Sequence, residues 1–130
     1  MDTQLKVLSE KLGRMTSEDA ADWLLTNYSV DRTGYGDAIA LINHRSWQRP
    51  EQIRLAKHYF RKLPFASSKP YEAFVSFMSL KLFLKMIEEC MPVSEADKKL
   101  LLYHLRPVLQ KVAKSDSDRE LVATFISHVQ

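Results

Sequence analysis

Apolar residues recur along the chain at spacings of three and four residues, which is the period of an amphipathic α-helix. The first such stripe runs from Leu5 to Met15, and the last from Leu121 to Val129. No stretch alternates apolar and polar residues over several positions, as a half-buried strand would. The pattern therefore predicts an all-α fold.

Capping signals divide this pattern into about six to seven helices. The predicted helices begin near the following residues: Thr3, Thr16, Gly36, Pro50, Pro70, Ser94 and Ser117. Thr16, Ser94 and Ser117 each precede an acidic residue by three positions, an arrangement typical of a helix N-terminus.

Prolines mark further helix positions. Pro50 and Pro70 suit a first helical turn, where the missing N–H has no intrahelical partner. Pro107 lies inside the sixth helical pattern, and we expect it to kink that helix or to split it near Arg106.

One predicted helix, from Pro70 to Met91, is apolar around most of its circumference. Its polar strip is thin and consists of Glu72, Ser76, Ser79, Lys85 and Glu89. Such a helix carries too many charges to span a bilayer and is typical of a core helix enclosed by its neighbours. We therefore predict a single domain over residues 1–130, an irregular orthogonal array of helices around a central apolar helix at about residues 70–91.

Compartment and membrane insertion are predicted from three further features. The single cysteine, Cys90, allows no internal disulfide. The first six residues lack the basic and apolar regions of a secretory signal. Charge-free runs such as residues 73–80 are much shorter than the roughly 20 residues that a bilayer requires. We expect a cytoplasmic protein without a membrane span.

Residue types that carry chemistry are scattered. None of the four histidines forms an i,i+4 pair around a glutamate, and one cysteine cannot build a thiolate site, so we predict no metal site and no cofactor. Cys90 lies beside Glu88 and Glu89 at the negative end of its predicted helix, which should raise its pKa and favours packing over nucleophilic catalysis. We assign no catalytic residue. A small enzyme whose site is assembled from scattered residues remains an alternative.

Charge is distributed unevenly. The net charge of the chain is +3, yet residues 44–69 hold seven basic residues against Glu51 alone. In the predicted fourth helix, Arg54, Lys57 and Arg61 recur at three- and four-residue spacing and form a basic ridge. The candidate binding surface comprises Arg45, Arg49, Arg54, Lys57, His58, Arg61 and Lys62.

Several interpretations of this surface are open. One interpretation is a helix face that is only solvated. The others are a binding site for an acidic protein surface, for an anionic membrane face, or for the phosphates of a nucleic acid. Nearby aromatic residues could stack on bases: Trp47, Tyr59, Phe65 and Tyr71. The third and fourth predicted helices also outline a helix-turn-helix, but their turn lacks the glycine often found there.

We therefore expect a non-enzymatic protein-interaction module, with nucleic-acid binding and an enzyme as the alternatives. An acidic protein surface is the expected partner. Self-association through an apolar stripe on the first or last helix is a further alternative.

Four stretches of the first 71 residues resemble a known family. They are Ala20–Leu25, Tyr35–Ala38, His44–Trp47 and Leu63–Tyr71. Together they are similar to the small YoaC-like proteins of enteric bacteria, a domain-of-unknown-function family. The resemblance implies an all-helical fold and a bacterial cytoplasmic setting. It implies no activity and no site residue.

Overall fold

Residues 2–130, which are those that the computed structural model describes, form eight α-helices and one short 3-10 turn. The helices are α1 (Thr3–Gly13), α2 (Ser17–Asn27), α3 (Gly36–Ile42), α4 (Arg49–Tyr59), α5 (Lys69–Phe77), α6 (Leu80–Glu89), α7 (Glu95–Val112) and α8 (Asp116–Val129). The 3-10 turn, Phe60–Lys62, follows α4 directly. No strand occurs within this range, so the all-α prediction is confirmed.

Side-chain caps fix where several helices begin. Thr16 accepts a hydrogen bond from the Asp19 N–H at 3.1 Å, and Ser94 accepts one from the Asp97 N–H at 3.1 Å, as predicted. The predicted cap at Ser117 is wrong. Ser115 caps α8 instead, because its hydroxyl reaches the Asp118 N–H at 3.0 Å and so satisfies a free donor of the first turn.

Proline positions agree with two predictions, and at Pro107 they exclude one of the two predicted outcomes. Pro50 and Pro70 lie in the first turns of α4 and α5. Helix α7 continues through Pro107 to Val112, so the predicted split near Arg106 does not occur. Pro107 is exposed, so its ring lies on the outer face of the helix. Proline has no N–H, so the carbonyl of Tyr103, four residues earlier on the same face, has no helical donor.

The prediction of one continuous helix from Pro70 to Met91 is wrong. Met78 adopts an extended conformation, with φ −106° and ψ 150°, and ends α5. Ser79 then accepts a hydrogen bond from the Leu82 N–H at 3.1 Å and starts α6. The segment therefore supplies two short helices, and each of them contacts three other elements.

Aromatic side chains from several elements meet in the core. Phe60 is fully buried and makes edge-to-face contacts with Phe65, Phe74 and Phe83, with ring centroids 4.8 to 6.2 Å apart. Each such pair contributes about 0.5–1.5 kcal/mol of stabilisation beyond that from the apolar area it buries. The surrounding core extends from Leu12 in α1 to residues of α8.

Candidate binding surface

Helix α4 and the 3-10 turn carry most of the predicted binding residues. The buried face of α4, which includes Leu55, Ala56 and Tyr59, packs into the core. Arg54, Lys57 and Arg61 are all exposed, and their spacing puts them on the side opposite the buried residues. These three residues are called the basic ridge below. Arg49 and Lys62 are also exposed, at the two ends of the same segment.

Arg45 forms hydrogen bonds within the fold and does not lie on this exposed face. Its Nη1 donates to the carbonyl oxygens of Leu12, at 2.6 Å, and Met15, at 3.0 Å. Its guanidinium group lies 4.6 Å from the ring centroid of Trp47. Leu12 lies in the last turn of α1, at the negative end of the helix dipole. Arg45 therefore joins α1 to the segment between α3 and α4.

His58 is half-buried and contacts the loop between α2 and α3. Its Nε2 lies 3.1 Å from the Val30 backbone nitrogen, whose N–H donates to it. Burial, and then the charge of Arg61, lower the pKa of His58, while Asp31 acts in the opposite direction. Nε2 can accept this hydrogen bond only in the neutral ring, and Nδ1 faces another donor, Arg61 Nη2, at 3.3 Å. His58 is therefore expected to add no positive charge to the surface at neutral pH.

Two carboxylates lie among the cations of the basic ridge. Arg54 forms an ion pair with Asp22 of α2. The Nη2 of Arg61 lies 3.9 Å from an Asp31 carboxylate oxygen. All four side chains are between 43% and 81% exposed, so these pairs contribute little to stability. Their effect is on the surface pattern, which alternates positive and negative groups instead of presenting cations alone.

The remaining cations differ in their surroundings. Lys62 lies with its Nζ 5.6 Å from the ring centroid of Tyr35. Lys57 is close enough to Cys90, which follows α6, to act against the rise in the pKa of that thiol. Within residues 2–130, neither Arg49, Lys57 nor Lys62 has a carboxylate partner within 4.0 Å.

The aromatic residues that sequence analysis associated with base stacking belong to the core. Tyr59 and Tyr71 are 0% exposed, and Trp47 and Phe65 are also buried. The Tyr59 hydroxyl donates to the Tyr28 carbonyl at 2.8 Å, and burial raises its pKa. Burial also raises the pKa of Tyr71 to about 12, against the opposing effect of the hydrogen bond from the Phe65 N–H. The stacking interpretation of these four residues is therefore wrong.

Cys90 follows the last residue of α6 and is half-buried. Burial raises the pKa of its thiol, and the neighbouring Glu89 raises it further. The predicted direction of this change is confirmed. A thiol with a raised pKa has a smaller thiolate fraction and is a weaker nucleophile at neutral pH.

Several grooves of residues 2–130 are open to the solvent, among them four with volumes from about 420 to about 830 Å³. The one of about 830 Å³ lies between α5 and the turn that starts α3, and is lined by Tyr35, Asn43 and Glu72, among others. The residues whose pKa is shifted are His58, Tyr59, Tyr71 and Cys90. None of them lines any of the four grooves. Residues 2–130 contain no group of three or more His, Cys, Asp and Glu side chains that could hold a metal ion.

Sequence analysis missed one surface. Leu100 and Tyr103 of α7 are exposed, on the face opposite the buried Leu101 and Leu105. The three- and four-residue spacing of this second, exposed stripe was visible in the sequence. It was passed over because the buried stripe alone is sufficient to predict the helix.

The chain matches no protein-family model, no curated protein and no solved structure. The resemblance to the YoaC-like proteins therefore stays a prediction. Within residues 2–130, no helix combines the length and the apolar character that crossing a membrane requires.

Proposed function

We propose that this protein is a non-enzymatic protein-interaction module that binds an acidic partner surface through α4 and the 3-10 turn. The observation that carries the proposal is the exposure of Arg54, Lys57 and Arg61 on one face, with Asp22 and Asp31 beside them. Arginine side chains are enriched among the residues that dominate protein interfaces.

The alternation of charges favours a protein over a nucleic acid. Phosphates along a nucleic acid are uniformly negative, and a ridge that binds them gains affinity by releasing condensed counterions. Carboxylates at Asp22 and Asp31 oppose that gain. A protein surface can instead match both signs, with acidic groups opposite the ridge and a basic or neutral group opposite each aspartate.

The orientation of the ridge supports the same proposal. Asp22 holds the Arg54 guanidinium, and the His58 carbonyl accepts from Arg61 Nε at 3.3 Å. Side chains that are already oriented lose less conformational entropy when a partner binds. Lys57, which lies between them, has no carboxylate partner within residues 2–130 and would meet an acidic group directly.

The test is capture of native partners with and without nuclease, followed by affinity measurement with the purified partner. We expect a partner that survives nuclease and that binds R54E/R61E at least about tenfold more weakly, because two interface charges are reversed. The K57E variant should weaken binding too, and it breaks no ion pair among residues 2–130. K6E/K114E, which makes the same change in net charge at exposed positions of α1 and of the α7–α8 connection, is the matched control.

Two outcomes would contradict the proposal. If nuclease treatment releases everything that is captured, the surface binds nucleic acid. If R54E/R61E and K6E/K114E bind the partner equally well, the ridge is a solvated helix face.

A further inference from the structure

Exposed apolar side chains concentrate at one helix, α7, and the residues just before it. Within residues 2–130, Val93 is 91% exposed, Tyr103 is 74% exposed and Leu100 is 41% exposed. Val7 of α1 is the other large apolar side chain that is exposed in this range. Single apolar residues on a surface are ordinary, whereas a cluster of them marks an interaction site.

These residues follow a heptad pattern. The exposed positions Val93, Ala96, Leu100, Tyr103, Pro107 and Gln110 are spaced three and four residues apart in alternation. That is the spacing of the a and d positions through which one helix packs along another. Leu100 and Pro107 take the a positions, while Val93 lies just before the N-cap of α7 and outside its helical turns. This set is called the α7 outer stripe below, and α7 buries a different set, which includes Leu101 and Leu105, in the core.

A groove runs beside the outer stripe. Its volume is about 670 Å³, and its walls include Leu102, Tyr103 and Pro107 of α7 and Val129 of α8. Leu102 and Val129 are almost fully buried and form apolar parts of that wall. Tyr103 rises beside them, so a side chain seated in the groove would contact apolar surface from both helices.

The g positions that flank the outer stripe are both positive, whereas Asp97 occupies an e position beside Ala96. Lys99 and Arg106 occupy the two g positions next to it, where side chains meet charges of a facing helix. Neither has a carboxylate partner within residues 2–130. The one acidic residue of the groove, Glu95, is 3.5 Å from Lys98 and is already paired.

We propose that the α7 outer stripe docks an amphipathic helix of a partner protein, with acidic residues of that helix opposite Lys99 and Arg106. Apolar residues of the partner helix cover Leu100 and Tyr103. This surface is separate from the basic ridge, and the proposal stands whether or not the ridge binds a partner.

A second copy of the chain is a poor occupant of the same stripe. In a parallel pair, Arg106 of one copy would face Lys111 of the other copy. In an antiparallel pair, the two g rows of Lys99 and Arg106 would face each other, and only Asp97 opposite Lys111 in the e rows would join opposite charges. Both arrangements bring like charges together, which disfavours the pairing.

The test is selection from a displayed library of helical peptides in which the heptad positions are randomised. Selection uses the wild-type protein, and peptides that also bind L100S/Y103S are removed. We expect the enriched peptides to combine apolar a and d positions with glutamate or aspartate at the flanking positions. The proposal would be overturned if the enriched peptides lacked acidic flanking residues. It would also be overturned if no peptide bound the wild type better than L100S/Y103S.

An enriched peptide then gives the quantitative test by titration. We expect Y103A to weaken binding about thirtyfold, as loss of a central aromatic anchor does, and K99E/R106E to weaken it at least tenfold. The R54E/R61E and K6E/K114E variants should bind as the wild type does, which separates this surface from the ridge. All of these positions are exposed or half-buried, and circular dichroism checks that each variant is folded.

Light scattering supplies the remaining outcome. A wild-type dimer that Y103A converts to a monomer would show that the stripe pairs with a second copy, and it would overturn the assignment to a partner helix.

Discussion

The Val30 backbone N–H donates to Nε2 of His58 at 3.1 Å and so fastens the α2–α3 loop to α4. The same loop is held by a second bond, from the Tyr59 hydroxyl to the Tyr28 carbonyl. Val30 itself is buried. The position of Asp31 beside Arg61 therefore depends on an imidazole that accepts a hydrogen bond, and only the neutral imidazole can do so.

Acidification should consequently destabilise the fold through His58. Its folded-state pKa is lowered by burial and by Arg61, with Asp31 acting in the opposite direction, so the unfolded chain takes up this proton first as the pH falls. The contribution to stability is complete above the unfolded value, about 6.5, and is lost as the pH falls through the folded value. Urea unfolding between pH 7.5 and 5 should show this loss.

The matched control is H58Q. A glutamine side-chain carbonyl can accept from the Val30 N–H but does not titrate in this range. We expect the free energy of unfolding of H58Q to fall less over the same interval than that of the wild type. Equal slopes for the two proteins would show that the loss has another origin.

Replacing Arg45 should weaken the joint between α1 and the α3–α4 segment. The R45M change removes two hydrogen bonds to the Leu12 and Met15 carbonyls, and hydrogen bonds to charged groups contribute about 1.5–3 kcal/mol each. We expect the free energy of unfolding, measured in urea, to fall by about 3 kcal/mol or more, which is the lower end for two such bonds. R49M, at an exposed position, should change it by less than about 0.5 kcal/mol. Equal effects of the two changes would contradict the structural role of Arg45.

The reactivity of Cys90 should respond to Lys57. Lys57 opposes the rise in the Cys90 pKa that burial and Glu89 cause. Reversing its charge in K57E should raise that pKa further and lower the thiolate fraction. We expect alkylation of Cys90 at pH 8, measured by mass spectrometry, to be severalfold slower in folded K57E than in the wild type. The K6E variant should react at the wild-type rate, and no difference between K57E and K6E would show that Lys57 does not act on the thiol.

Sequence alone predicted the helices well, because the apolar period and the capping residues are local signals. Thr16 and Ser94 were assigned as caps and cap their helices. The N-terminus of α8 was misassigned because Ser115 and Ser117 each precede an acidic residue by three positions. Local pattern does not distinguish two such candidates, and the structure selects Ser115.

The candidate surface was less predictable, because a sequence records charge but not what each charge contacts. Arg45 and His58 entered the set through their position in a basic region, and both are engaged with the backbone of other segments. Their partners, Leu12 and Val30, lie 33 and 28 residues away in the chain. Contacts of that range depend on packing, which no local pattern encodes.

The break between α5 and α6 was missed for a related reason. Residues 70–91 contain no glycine, and no proline interrupts them after Pro70, so propensity favours one helix. A serine inside an apolar run was treated as part of a polar strip. Ser79 instead acts as a cap, which lets α5 and α6 pack at different places in the core.

The S79A substitution distinguishes the two arrangements by the sign of its effect. If residues 70–91 formed one helix, alanine would replace a poorer helix former and would stabilise it. Because the Ser79 hydroxyl accepts from the Leu82 N–H at 3.1 Å, its loss should instead lower the free energy of unfolding by about 1 kcal/mol. S127A, at an exposed position within α8, is the control and should be neutral or slightly stabilising. Urea unfolding of the three proteins measures the difference, and a stabilised S79A would mean that the chain is helical through Met78.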